Sequence, residues 1–151
     1  MKCRIDLLRK FSRLAAAERR LLVRAWLALH LVDCALYLLP FETVRNWCHS
    51  NTAPPQSIFS LSPPILISRC VELVDVAGRY SFIDATCLKE ALVIAWLMGR
   101  CGVATTLKIG VARCEGALSA HAWLEQDGRI VFSREATAAY APLRPCHHEV
   151  A

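Results

Sequence analysis

The stretch from Leu21 to Leu39 is apolar on nearly every side, and Pro40 closes it. A helix that is hydrophobic all round must be buried, either in a protein interior or in a membrane. Arg24, His30 and Asp33 interrupt the stretch, and its uncharged run from Ala25 to Val32 falls far short of the ~20 residues a span needs. It therefore reads as a core helix, with membrane-surface attachment through residues 4 to 39 as the alternative. A helix of this kind requires neighbours that cover it.

The rest of the chain supplies them. With 151 residues, 55% apolar and 21% charged, the chain can build one domain with a real core, but not two ordinary ones. That composition excludes a disordered, collagen-like or low-complexity chain. Leu7, Leu8, Phe11, Leu14 and Ala15 follow helical spacing across residues 4 to 20, and Ala15-Ala16-Ala17-Glu18 can restart a helix after Ser12. Phe41 to Cys48 reads as one or two helical turns, residues 51 to 57 as a loop, Pro63-Pro64 as a break, and Ile65 to Val76 as a helix.

The second half changes character. Asp84-Ala85-Thr86 offers capping oxygens before an apolar-striped helix from Cys87 to Met98, which ends near Gly99 and Gly102. Three strands are predicted at Thr105 to Ala112, Ala120 to Gln126 and Arg129 to Phe132. Asp127-Gly128 between the last two is a hairpin signal. The expected fold is α+β: a helical extension over residues 1–50, packed on a core over 51–151, as one structural domain. No repeat is visible.

Net charge is +5, with much of the excess in one N-terminal stretch and no interleaved aromatics, so nucleic acid is not an expected partner. The eight cysteines form no C-x-x-C pair, and the start of the chain leads to Glu18-Arg19-Arg20 rather than to a signal-peptide cleavage site. They read as reduced thiols in a cytoplasmic protein. Cys146-His147-His148 has no partner cluster, so it reads as a solvated tail rather than a metal site.

Cys87 is distinguished by its place. In the first turn of a helix, unpaired backbone N–H groups and the helix dipole favour a thiolate, which is the nucleophilic form. The same N–H groups can hold a developing oxyanion. His121, flanked by small residues at the start of a strand, is the candidate base. Each has a plain structural alternative, a buried cysteine that happens to start a helix and a satisfied strand histidine. Together they form a thiol–imidazole pair.

Three segments carry a family resemblance: Ala85-Thr86-Cys87-Leu88 opening an apolar helix; Leu107-Lys108-Ile109-Gly110-Val111; and Ala120-His121-Ala122-Trp123-Leu124-Glu125 followed by Asp127-Gly128-Arg129. They resemble the lasso peptide leader peptidases, transglutaminase-like cysteine proteases of bacterial lasso peptide biosynthesis. The run from Arg19 to Trp26, leading to Leu38-Leu39-Pro40-Phe41, resembles the helical extension of that family.

The resemblance implies a papain-like or transglutaminase-like core, with a Cys-bearing helix packed on a small antiparallel sheet. It implies removal of the leader from a ribosomally made precursor peptide, with Cys87 as nucleophile, His121 as base and no cofactor. It also implies a separate leader-recognition protein and a downstream ATP-dependent cyclase as partners. The family commonly places an Asp about twelve residues after the histidine to orient the ring. This chain has Ser133 there, followed by Arg134 and Glu135.

In an unbroken two-residue hairpin Arg134 would lie opposite His121, whereas a one-residue bulge would bring Ser133 or Glu135 to its face. Glu135 is the expected third member because it is charged, and Ser133 is the runner-up. An acyl transferase on the same scaffold and a non-catalytic precursor-binding module are the alternatives.

Overall fold

A computed structural model describes residues 14–50, 63–114 and 117–143. The start of the N-terminal amphipathic pattern, the loop at 51–57 and the Cys146-His147-His148 tail lie outside them. The described elements are α1 (Ala16–Leu38), α2 (Phe41–Ser50), α3 (Pro63–Arg79), α4 (Cys87–Arg100), β1 (Thr106–Cys114), β2 (Ala117–Gln126), β3 (Arg129–Phe132), a 3-10 turn (Thr137–Ala139) and β4 (Ala141–Pro142). The class is α+β, with helices packed against one antiparallel four-stranded sheet of order β3-β2-β1-β4.

α4 is the centre. Every residue from Glu90 to Gly99 except Trp96 is buried, as its nearly continuous apolar sequence requires. α1 contributes Leu21, Ala25, Ala28, Leu29 and Val32 to the core. α2 adds Val44 and Cys48 one turn apart, and α3 adds a stripe from Leu66 to Ala77. By length and composition alone α1 could cross a membrane. Its buried stripe is Leu21, Ala25, Ala28, Leu29 and Val32, and contrary to the helix expected to be covered on every side it leaves Val23, Leu27, Leu31, Tyr37 and Leu38 exposed. Glu18 accepts the Ala15 N–H at 3.0 Å and pairs with Arg69 at 2.7 Å, which fastens the start of α1 to α3. That hydrogen-bonded pairing holds the Glu18 carboxyl below its usual range.

Two boundaries differ from expectation. Pro63-Pro64 opens α3 rather than breaking the chain, because the first helical turn needs no backbone donor from these positions. α2 is longer than the one or two turns predicted. The end of α4 follows the glycine signal: Gly102 takes φ 75°, and the Val103 and Gly102 N–H groups bond back to Met98 and Gly99 carbonyls at 2.9 and 3.0 Å. This is a Schellman closure.

The Asp127-Gly128 hairpin also forms, with φ values of 50° and 76° that match a type I′ turn. Across it the register slips by one residue between Leu124 and Glu125. β4 has no signal in the sequence. It is a two-residue edge strand, held on β1 by Val111↔Ala141 and Gly110↔Pro142 and followed by a Leu143 N–H to Ile109 carbonyl bond of 2.8 Å.

Candidate active site

Cys87 is the first residue of α4 and is half-buried at the edge of the core. The first intrahelical bond runs from the Glu90 N–H to the Thr86 carbonyl at 3.1 Å, so the N–H groups of Cys87, Leu88 and Lys89 have no acceptor within the helix. Thr86 occupies the N-cap position without a side-chain capping bond. Lys89 reaches back to the Asp84 carbonyl and across to Asp33 of α1, both at 2.7 Å, and so fixes the approach to the helix start.

Strand alternation sorts β2 into two faces. Ala122 and Leu124 join the main core that surrounds α4, whereas Trp123 joins a smaller cluster with Ala112 and Tyr140. His121 shares that second face and is 3% exposed. Its ring lies 6.2 Å from that of Trp123, nearly parallel, and 5.1 Å from that of Tyr140.

Directly across from His121 on β1 stands Gly110. A Cβ there would meet the Trp123 ring and the Tyr140 Cβ at 2.9 Å, so the missing side chain makes room for the walls around the histidine.

Ser133 orients the ring. His121 Nε2 lies 2.8 Å from Ser133 Oγ, and Ser133 Oγ lies 2.6 Å from the Glu135 carbonyl oxygen. A carbonyl only accepts, so the single Ser133 proton goes to Glu135. Ser133 must then accept from His121, which makes neutral His121 the Nε2–H tautomer and leaves the Nδ1 lone pair free. The register slip in the β2–β3 hairpin gives the parity that brings Ser133 to this face.

Glu135 does not touch the ring with its carboxylate, contrary to expectation. Its side chain accepts from the Tyr140 hydroxyl, and its main-chain carbonyl holds Ser133. The chain turns sharply after β3, which aims the carboxylate at Tyr140 rather than at the imidazole.

No hydrogen bond joins the Cys87 thiol to His121 among the described residues. An ion pair that the sequence did not announce ties the helix of Cys87 to the segment after β3 that carries Ser133. Glu90, one helical turn beyond Cys87 and 1% exposed, accepts from Arg134 at 2.6 Å. Arg134 adjoins Ser133, so the helix carrying the thiol and the loop holding the imidazole share one fastening. Burial pushes the Glu90 carboxyl up, with Arg134 opposing, and its Oε2 has no hydrogen-bond partner. The available signal was a lone acid in an otherwise apolar helix.

Burial also raises Cys48 to about 11 and Cys70 to about 12, so neither is a nucleophile near neutrality. Among the described residues no group of three or more His, Cys, Asp and Glu side chains could hold a metal ion.

The chain carries a thiol beside helix N–H groups that have no acceptor within the helix. Its imidazole lies on the sheet face opposite the one that packs on α4, with the tautomer set by Ser133; no hydrogen bond joins the two among the described residues. Comparison with known proteins agrees at the level of family. Residues 28–145 match the family model described as the transglutaminase-like superfamily. No curated protein and no solved structure matches the chain. With most of its length matched, the chain belongs to the transglutaminase-like superfamily, whose members are generally cysteine peptidases and acyltransferases.

Proposed function

We propose that this chain is a cysteine peptidase that removes the leader from a ribosomally made precursor peptide of the lasso class. The observation that carries the chemistry is the ordered tautomer of His121, with Nε2 donating to Ser133 and Nδ1 free, in the same fold unit as a cysteine at the start of α4. The three motif segments around Cys87, Gly110 and His121 support the substrate class.

In this mechanism the Cys87 Sγ attacks the carbonyl at the leader–core junction while His121 Nδ1 takes the thiol proton. The N–H groups at the start of α4 hold the oxyanion. Collapse breaks the peptide C–N bond, and the imidazolium gives its proton to the leaving amine of the core peptide. Water, losing a proton to His121, then attacks the thioester, releasing the leader as a carboxylic acid and restoring the thiol. None of these steps calls on a cofactor. No hydrogen bond joins thiol and imidazole among the described residues, so this mechanism requires that they come within reach of each other in the substrate complex.

The reading places the protein in the cytoplasm, with a separate leader-recognition protein presenting the precursor and an ATP-dependent cyclase taking the product. Acyl transfer to an amine follows the same first half-reaction. The missing thiol–imidazole bond favours a second reading, a precursor-binding module without catalysis.

The test is cleavage of a precursor peptide in the presence of its recognition protein, followed by mass spectrometry. Cys87→Ala and His121→Ala are each expected to abolish cleavage and leave precursor binding intact. Cleavage by Cys87→Ala overturns the proposal.

A further inference from the structure

α1 carries a second ordered stripe besides the one in the core. Arg20, Arg24, Leu27, Leu31, Cys34 and Leu38 alternate spacings of four and three along the helix, the periodicity of a helix–helix seam. All six are exposed, with Leu27 at 56%, Leu31 at 54% and Leu38 at 77%. Isolated exposed leucines need no explanation, whereas a continuous row at heptad spacing does.

The seam borders a groove of about 190 Å³ between α1, α2 and α4, whose walls include Leu27, Leu31, Trp47 and Trp96. Trp47 and Trp96 stack at 6.4 Å, and the Arg100 guanidinium lies 5.4 Å over the Trp96 ring. Arg24 also lines the groove, and no acidic residue does. Glu42 on α2 is engaged by Arg45 on its own helix. An apolar floor with a cationic rim fits an apolar helix face flanked by carboxylates.

A second copy fits poorly. Two α1 seams in parallel would set Arg20 and Arg24 against their own counterparts. Antiparallel, with Leu27 over Leu31, they would lie over Leu38 and Cys34, and neither seam supplies a carboxylate.

We propose that this seam docks an acidic amphipathic helix of a partner protein, with leucine-like side chains over Leu27, Leu31 and Leu38 and carboxylates over Arg20, Arg24 and Arg100. Docking here is independent of the thiol chemistry and stands or falls without it.

The test uses the full chain and two fluorescein-labelled synthetic helices, both with Leu at heptad positions, one flanked by Glu and the other by Lys. In fluorescence anisotropy the Glu helix is expected to bind and the Lys helix not to bind. Leu31→Ser should weaken binding about tenfold or more. Ile130→Ser, a comparably exposed position on β3, should leave it unchanged. Arg20→Glu with Arg24→Glu should reverse the preference between the two helices. Equal binding of both, or no binding of the Glu helix, overturns the proposal. So does self-association in sedimentation velocity, or retention on phosphatidylglycerol vesicles, that Leu31→Ser abolishes.

Discussion

Ser133 acts on His121 as an acceptor, because the Glu135 carbonyl consumes its only proton: 2.8 Å on one side and 2.6 Å on the other fix the direction of both bonds. A neutral hydroxyl thus stands where a carboxylate would complete a charged triad. It selects the tautomer and aims the ring, while supplying no countercharge for the imidazolium formed in turnover.

Replacing that hydroxyl isolates its contribution. A neutral hydrogen bond is worth about 1 kcal/mol, so Ser133→Ala is expected to lower kcat by roughly five- to tenfold. Ser133→Thr, which keeps the hydroxyl, should retain most activity. Glu135→Ala should cost less than Ser133→Ala, because the Glu135 main-chain carbonyl stays in place. The comparison is read in precursor cleavage under saturating substrate.

The Glu90–Arg134 pair links the two halves of the site. Arg134→Ala leaves a buried carboxylate without its cation; since Arg134 is itself partly exposed, the cost is about 2 kcal/mol, below that of a fully buried pair. Denaturant unfolding measures it. Arg134→Lys should recover part of the loss.

The same pair has a pH signature of definite sign. Because burial raises the Glu90 carboxyl above its usual 4.5, the folded chain binds the proton more tightly than the unfolded one, and stability falls as pH rises from 4.5 through the raised value. Glu18 acts oppositely: lowered by Arg69, it contributes stability above 4.5 that is lost as pH falls through its depressed value. Thermal unfolding across this range should show Glu90→Gln removing the decline above 4.5, and Glu18→Gln removing the loss below it.

Gly110 is a steric prediction. Gly110→Ala forces a Cβ into Trp123 and Tyr140, which wall the His121 ring, at about 1–3 kcal/mol for an overpacked site. Both unfolding midpoint and cleavage rate should drop, whereas Gly128→Ala, with open space around it, should affect stability through its positive φ alone.

Much of the fold was legible because its signals are local. The helix over α1, the helix start at Cys87, the Gly102 terminus and the Asp127-Gly128 turn each depend on neighbouring residues, whereas the expected side-chain cap at Thr86 and the all-round burial of α1 do not form. β4 and the pairing of Glu90 with Arg134 are not local; they arise where distant segments meet, and Ala141-Pro142 has no strand-forming side chains to announce it. The third residue beside His121 was open for a related reason. Parity on β3 depends on a one-residue slip that the turn sequence leaves undetermined, and once the slip is present Ser133 takes the contact while the Glu135 carboxylate turns to Tyr140.

The most direct measurement is a short iodoacetamide time course from pH 5 to 9, with each cysteine followed by peptide mass spectrometry and Cys34, an exposed thiol away from any helix start, as the internal reference. Expected is faster modification of Cys87 than of Cys34, slowed by His121→Ala, with buried Cys48 and Cys70 protected throughout. Labelling of Cys87 no faster than Cys34 at every pH, with the recognition protein and precursor present as well as absent, would contradict a nucleophilic cysteine at the start of α4.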